Sequence, residues 1–559
     1  MTVAEFIANF IKKKKIKDIF MLTGYGAMYL NDAIKKSRIK YYATRNEATA
    51  PIMAEAYAKI KGGIGVACVT AGPGATNAIP GLAEAFVDSA PILVISGQVD
   101  LKQTTYNTKL KNIRTFGTAE INIIPIVRPL TKYVEIIKNP NDVRYILEKA
   151  FFIAQDQRPG PVWIDVPLNI QKSKINFKKL KKFKIPTRKE KTKINIYLKI
   201  VEYFNKSKKP ILICGGGVKN SNTYNDLKKI IDYLKIPVFF SRAAQDLDSH
   251  NKKYIFGQTG IKGSRFCKKI MTNADLIISL GCRLSPQLAG HNFEAFSNAK
   301  IIAVDIINDE LKKKGAKIFL PIKEDLKFFI PKFLTVLKKR KINNFETWFS
   351  YCENLKNTMS IWDNKNNKNP IDLYDFMNKL GNISPAKSIL VTDAGSNYYI
   401  GGQVWKFNKG QKELTSISNA AMGLTIPLAI GAAVASPNNV ILAVTGDGSL
   451  ELNIQELKTI SHYRFNIKLF VINNGGYVSM HNWADTFFKG RRLDTPEDTG
   501  DGTLNLKKIA SAFDLKHCLI KNTKKITSDI KNILSIKEPV FVEVITDHNQ
   551  KIFDAFKDY

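Results

Sequence analysis

The chain is written in short apolar runs that stop at glycine or at a polar cluster. IGVACVT (64–70), PILVISG (91–97) and GPVWIDVP (160–167) come first, and PILICGGG (210–217), ADLIISLG (274–281) and AKIIAVDI (299–306) follow. SILVTDAG (388–395), NVILAVTGDG (439–448), IKLFVINN (467–474) and PVFVEVI (539–545) close the series. Each is too short for a helix and too uniformly apolar for a strand with one wet face, so each reads as a strand of a parallel sheet covered on both sides. Helical stretches such as Ala48 to Lys61 lie between them. This alternation predicts doubly wound parallel α/β sheets.

The runs fall into three blocks, predicting three α/β domains in series over 1–172, 195–335 and 371–550. Gln171 to Ile194, with KKLKKFK and RKEKTK, reads as a charged linker, and 336–370, with NKNNKNP, as a second connector. With 559 residues, 44% of them hydrophobic, the chain can fill several cores. Cys68, Cys214, Cys267, Cys282, Cys352 and Cys518 form no C-x-x-C pair. That pattern argues against a zinc ribbon or a disulfide scaffold and fits a reducing cytoplasm. The opening MTVAEFIANFIKKKKIKDIF puts its apolar residues before its lysines, the reverse of a secretory signal, and no run reaches membrane-spanning length. The net charge of +36 comes mostly from lysines scattered along the chain. Arginine and aromatics are rarely interleaved with them, so the surplus reads as a solvated surface and not as a nucleic-acid platform.

Ligands of doubly wound sheets bind at the carboxyl ends of strands. Thr70 to Asn77, Gly215 to Gly217, Gly395-Ser396-Asn397 and Gly446-Asp447-Gly448-Ser449 all fall there. The last cluster is the most specific, because after 23 intervening residues the next apolar run ends in Asn473-Asn474. Glycines admit a diphosphate to the backbone, a following helix N-terminus adds positive potential, and Asp447 offers a carboxylate to a hard cation. Asn474 adds an amide oxygen. Two parallel neighbouring strands would bring these tips together around Mg²⁺ and a diphosphate.

With these motifs the chain resembles the thiamine diphosphate enzymes, specifically the acetolactate synthase branch, over nearly its whole length. The GDGS…NN pair is similar to the family's cofactor and magnesium signature. The resemblance implies Mg²⁺ held by Asp447, Asn474 and the carbonyl of Gly476, with Gly72, Asn77, Gly395, Ser396, Asn397, Gly446, Gly448, Ser449 and Tyr477 around thiamine diphosphate. TRNEATAPIMAEAYAKIKGGIGVACVTAGPGATN is similar to the segment that carries the catalytic glutamate, matched by Glu47. That residue is expected to share a proton with the pyrimidine ring of the cofactor. SNAAMGLTIPLAIGAA supplies Met422 at the position that props the cofactor into its bent shape. Arg283, in LISLGCRLS, and Trp483, in NNGGYVSMHNWADTFFKGRR, match positions near the substrate channel and the acceptor pocket.

The resemblance further implies a homodimer or homotetramer with sites between subunits. Gly215 to Gly217 and Asp305 are compatible with a dinucleotide and leave FAD in the central domain open. Two departures bear on substrate: Ala48 stands where family carboligases carry glutamine, and Thr118-Ala119-Glu120 where they carry Phe-Gln-Glu. The expected activity is decarboxylation of a 2-oxoacid, pyruvate first, with transfer of the acyl carbanion to a carbonyl acceptor. A simple decarboxylase, a 2-hydroxyacyl lyase and acetyl transfer to a keto-sugar use the same chemistry. A non-catalytic binding subunit is the alternative of a different class.

Overall fold

A computed structural model describes residues 1–108, 110, 112–359, 362, 369–493 and 504–556. The first sheet contains β1 (Asp18–Met21), β2 (Lys40–Ala43), β3 (Gly65–Val69), β4 (Ile92–Gln98), β5 (Tyr133–Ile136) and β6 (Val162–Pro167). The second contains β7 (Pro210–Cys214), β8 (Val238–Phe240), β9 (Ile255–Gln258), β10 (Leu276–Leu280), β11 (Lys300–Asp305) and β12 (Leu320–Lys323). The third contains β13 (Ser388–Val391), β14 (Lys412–Leu414), β15 (Val440–Gly446), β16 (Ile467–Asn473), β17 (Lys516–Ile520) and β18 (Val540–Ile545). Every neighbouring pair in these sheets is parallel.

The strand orders are β2-β1-β3-β4-β6-β5, β12-β11-β10-β7-β8-β9 and β14-β13-β15-β16-β18-β17. Counted within each sheet, the first and third orders are identical, and the central one is the 3-2-1-4-5-6 order of dinucleotide-binding sheets. Chain direction across the sheet reverses between β1 and β3, between β7 and β10, and between β13 and β15. The loops beyond those strands open a crevice at each reversal. Gly72, Gly215 to Gly217 with Gly281 to Arg283, and Gly395 with Gly446 to Ser449 stand at these three places.

Central strands are covered on both faces: β3, β4, β6, β7, β10 and β13 have no exposed residue. The first and third domains are joined by two helices, Thr49–Lys61 and Thr425–Ala435, the second buried along its full length. A Cβ on Gly431 would stand 2.3 Å from the Met53 carbonyl oxygen, so the two backbones meet directly. Around them one apolar cluster runs from Phe20, Val94 and Trp163 to Ile389, Ile430, Val471 and Phe541.

The connector expected over 336–370 is corrected. Glu346–Thr358 is a helix whose Trp348, Phe349, Cys352 and Leu355 fill the central core, an apolar spacing that places them on one helical face. Most of NKNNKNP lies outside the described residues. No helix among the described residues is long and apolar enough to cross a membrane, and none of the six cysteines is in a disulfide.

Candidate active site

Because β15 and β16 are adjacent and parallel, the two halves of the GDGS…NN motif meet at their tips. Asp447 opens a short helix just beyond β15 and is only 5% exposed. Its Oδ2 accepts the backbone N–H groups of Asn474 (3.1 Å) and Gly476 (3.0 Å), and its Oδ1 accepts that of Gly448 (3.0 Å). Burial pushes the Asp447 carboxyl above the usual carboxylate range, against the pull of the N–H donors from Gly448, Asn474, Gly476 and Gly475. Gly475 and Gly476 adopt φ of +79° and +82°, values that strain any residue with a side chain. The donors gathered here are a carboxylate, an amide and main-chain carbonyls, an all-oxygen set that suits Mg²⁺. Among the described residues, no three His, Cys, Asp or Glu side chains form a competing metal cluster.

The other residues expected at the cofactor divide by what they touch. A Cβ on Gly446 would meet nothing within 4 Å, so the strand end is open to a ligand, whereas one on Gly448 would lie 3.2 Å from the Tyr477 ring. Gly395 has φ +69° and begins the helix Gly395–Val404 with Ser396, which is buried. Asn397 donates to the Val444 carbonyl at 2.7 Å, and Ser449 Oγ donates to buried Asp393 while accepting the Gly423 N–H at 2.8 Å. These two side chains brace the sheet end. Met422 is 37% exposed.

In the first domain, Glu47 is half-buried in the turn before Thr49–Lys61. Asn77 Nδ2 donates to its Oε2 at 2.8 Å and to Asn46 Oδ1 at 2.9 Å. Gly72 has φ +56°, and a Cβ there would stand 2.2 Å from the Ala119 carbonyl oxygen. The Thr118-Ala119 segment therefore lies on the Gly72 turn, with both side chains exposed. Glu120 points the other way, accepting from Thr105 N–H (3.2 Å), Thr105 Oγ1 (2.8 Å) and Phe116 N–H (3.3 Å).

Arg283 and Trp483 line one cleft of about 1070 Å³, together with Gly216, Gly217, Asp305 and Tyr398. Trp483 is 52% exposed and stacks on Phe487 at 5.2 Å. Arg283 donates from Nη2 to Ser418 Oγ at 2.7 Å. Ser418 and its neighbours are also held by the first domain: Asp88 accepts the N–H groups of Ile417 and Ser418, both at 3.0 Å, and Glu84 accepts from Asn419 at 2.8 Å. All three domains thus meet at the segment that leads to Met422. Asp88 in turn bonds Lys59, which also meets Glu55 at 2.5 Å.

Sequence reasoning missed one residue beside Glu47. Glu456, in the third domain and fully buried, accepts the N–H of Arg45 at 2.8 Å and the hydroxyl of Thr49 at 2.7 Å. Its only sequence signal is a charge inside the apolar-periodic NIQELKTI, which ordinarily marks a wet helix face.

Family profiles cover all three domains. "Thiamine pyrophosphate enzyme, N-terminal TPP binding domain" matches residues 1–121, the family's central domain 198–334, and its "C-terminal TPP binding domain" 393–544. The acetolactate synthase large subunit of Porphyra purpurea is 30% identical over 534 residues, covering 92% of this chain and 86% of that protein. The chain belongs to the thiamine pyrophosphate enzyme family. Acetolactate synthase large subunits of Cyanidium caldarium and Lactococcus lactis subsp. lactis are each 29% identical, covering 99% and 98% of this chain and 94% and 93% of their own lengths. This member is a thiamine pyrophosphate-dependent enzyme of the acetolactate synthase-like kind, built from the three α/β domains its sequence predicts.

Proposed function

We propose that the chain decarboxylates a 2-oxoacid, pyruvate first, and joins the two-carbon unit to a carbonyl acceptor, with Mg²⁺ and thiamine diphosphate at Asp447, Asn474 and Gly476. The observation that supports this most is the buried Asp447 carboxylate closing the Asn474–Gly476 turn at an open strand end. When bound, thiamine diphosphate supplies the carbon nucleophile and takes up the electron pair left by CO₂. Glu47, oriented by Asn77, holds a proton for the pyrimidine ring. Asp447, Asn474 and the Gly476 carbonyl hold the cation that neutralises the diphosphate. Met422 supports the bend of the cofactor, and Arg283 offers a guanidinium to a substrate carboxylate in the cleft it shares with Trp483.

We read the working form as at least a homodimer with sites between subunits. Exposed apolar side chains near both half-sites support it: Leu110 and Phe116 on the first domain, and Met480, Phe487 and Phe488 on the third. The unpaired cysteines support a cytoplasmic location. Gly216, Gly217 and Asp305 fit the pyrophosphate and ribose of a dinucleotide, so FAD is a ligand to look for by its visible absorbance in the purified protein. The main test incubates the protein with thiamine diphosphate, Mg²⁺ and a panel of 2-oxoacids, with and without aldehyde or ketone acceptors. CO₂ release with a ligated product by mass spectrometry supports the reading, CO₂ alone makes the chain a decarboxylase, and no CO₂ from any member overturns it.

A further inference from the structure

Nine positions past Asp447, the third domain buries a carboxylate that serves the first domain. Glu456 is 0% exposed, and among the described residues no ion pair involves it. Its bonds come from neutral donors: Arg45 N–H and Thr49 Oγ1 on Oε1, and Thr459 Oγ1 on Oε2 at 2.6 Å. Burying an unpaired carboxylate is costly even when it is hydrogen-bonded, so its position calls for a reason. The two first-domain donors stand two residues before and two residues after Glu47. Thr49 Oγ1 also lies 2.7 Å from the Asn46 carbonyl, which closes the turn on itself. The grip continues along the same segment, where Tyr463 OH accepts the Ala43 N–H at 3.3 Å and the Tyr463 ring lies 5.0 Å from that of Tyr42.

We propose that Glu456 is a positioning residue for Glu47, fixing from another domain the turn that aims the Glu47 carboxyl. The proposal rests on the reading of Glu47 as the proton-sharing residue. Glu456 accepts from the Arg45 main chain on one flank of that residue and from the Thr49 side chain on the other, and Asn77 holds the carboxyl itself, so the side chain is set at its base and at its tip. A slack turn would let the carboxyl drift by an ångström, enough to cost on the order of a hundredfold in a proton-sharing step.

The test uses the holoenzyme and the 2-oxoacid that the panel identifies. Glu456→Ala is expected to lower kcat roughly 10- to 100-fold while thiamine diphosphate affinity at saturating Mg²⁺ changes less than about threefold, because the diphosphate anchor is untouched. Glu456→Gln keeps an oxygen for Arg45 and Thr49 and turns its amide to the Thr459 hydroxyl, so it should recover most of the lost turnover. Glu456→Asp, a shorter acceptor, stands in if the alanine variant does not fold. The deciding measurement is the double variant with Glu47→Gln. If Glu456 acts through Glu47, the double variant is no slower than Glu47→Gln alone; independent roles would multiply the two losses. Multiplied losses, a glutamine variant as slow as alanine, or an alanine variant with wild-type kcat would each overturn the proposal. A fully active Glu47→Gln single variant would instead overturn the Glu47 reading, and this proposal with it.

Discussion

Gly431 and Met53 touch through their backbones: the place where a Gly431 side chain would start is 2.3 Å from the Met53 carbonyl oxygen and 2.8 Å from the Ala56 Cβ. Alanine in a helix interior ordinarily gains about 1 kcal/mol over glycine. Here the helices would have to part, and overpacking of a filled core costs about 1–3 kcal/mol. Gly431→Ala is therefore expected to destabilise the chain despite its better propensity, read as a lower urea midpoint. A midpoint at or above wild type would show that the crossing is looser than this contact requires.

Glu47 and Asp447 should fail in different ways. In the role proposed for Glu47, a Glu47→Gln amide cannot share a proton with the pyrimidine ring, so turnover should fall by about 10²- to 10⁴-fold, with cofactor affinity little changed. On the proposed assignment Asp447→Ala removes the charged ligand of the cation, so cofactor retention should be lost and partly restored by high Mg²⁺. Titration calorimetry with thiamine diphosphate at several Mg²⁺ concentrations, beside steady-state rates, separates the two.

The same pair reports where the sites lie. If each site joins the first domain of one chain to the third domain of another, a mixed dimer of Glu47→Gln and Asp447→Ala chains holds one doubly impaired site and one intact site. Random reassociation should then recover about a quarter of wild-type activity from two inactive proteins. Sites contained within single chains would recover none.

His250 gives the stability a pH dependence. Its ring packs between Phe240 and Phe407, its Nε2–H donates to the Gln245 carbonyl at 2.8 Å, and burial lowers its pKa to about 4. The unfolded chain binds this proton from about pH 6.5 downward and the folded chain only near pH 4, so stability is full above 6.5 and lost as the pH falls between them. From pH 7 to pH 5 the loss assigned to this residue is about 1–2 kcal/mol. It is checked as the difference between wild type and His250→Gln in urea titrations at the two pH values.

The central strands and the meeting of the GDGS and NN tips were legible because both reduce to local patterns. A strand covered on both faces must be a continuous apolar run, and GDGS and NN stand at the ends of two such runs. The edge strands gave no such signal: Lys40–Ala43, Lys412–Leu414 and Lys516–Ile520 mix lysine with apolar residues, as edges facing solvent do. Glu346–Thr358 was hidden by the polar run that follows it. Glu456 and Asp88 were out of reach for a different reason, since each carboxylate is explained by a partner more than 300 residues away, and no window of sequence contains both ends.

Ser418 receives a guanidinium from one domain and main-chain and carboxylate contacts from another, and this has a consequence for a chain that has been cut. Every residue of the stretch 184–190 between the first and central domains is exposed, and Lys184 and Lys189 are open to a protease specific for lysine. Nicking there severs the only covalent path between the first domain and the rest, yet the fragments remain clamped at the Ser418 segment and share one apolar cluster. The severed protein should run as two bands in denaturing gels and as one particle in solution.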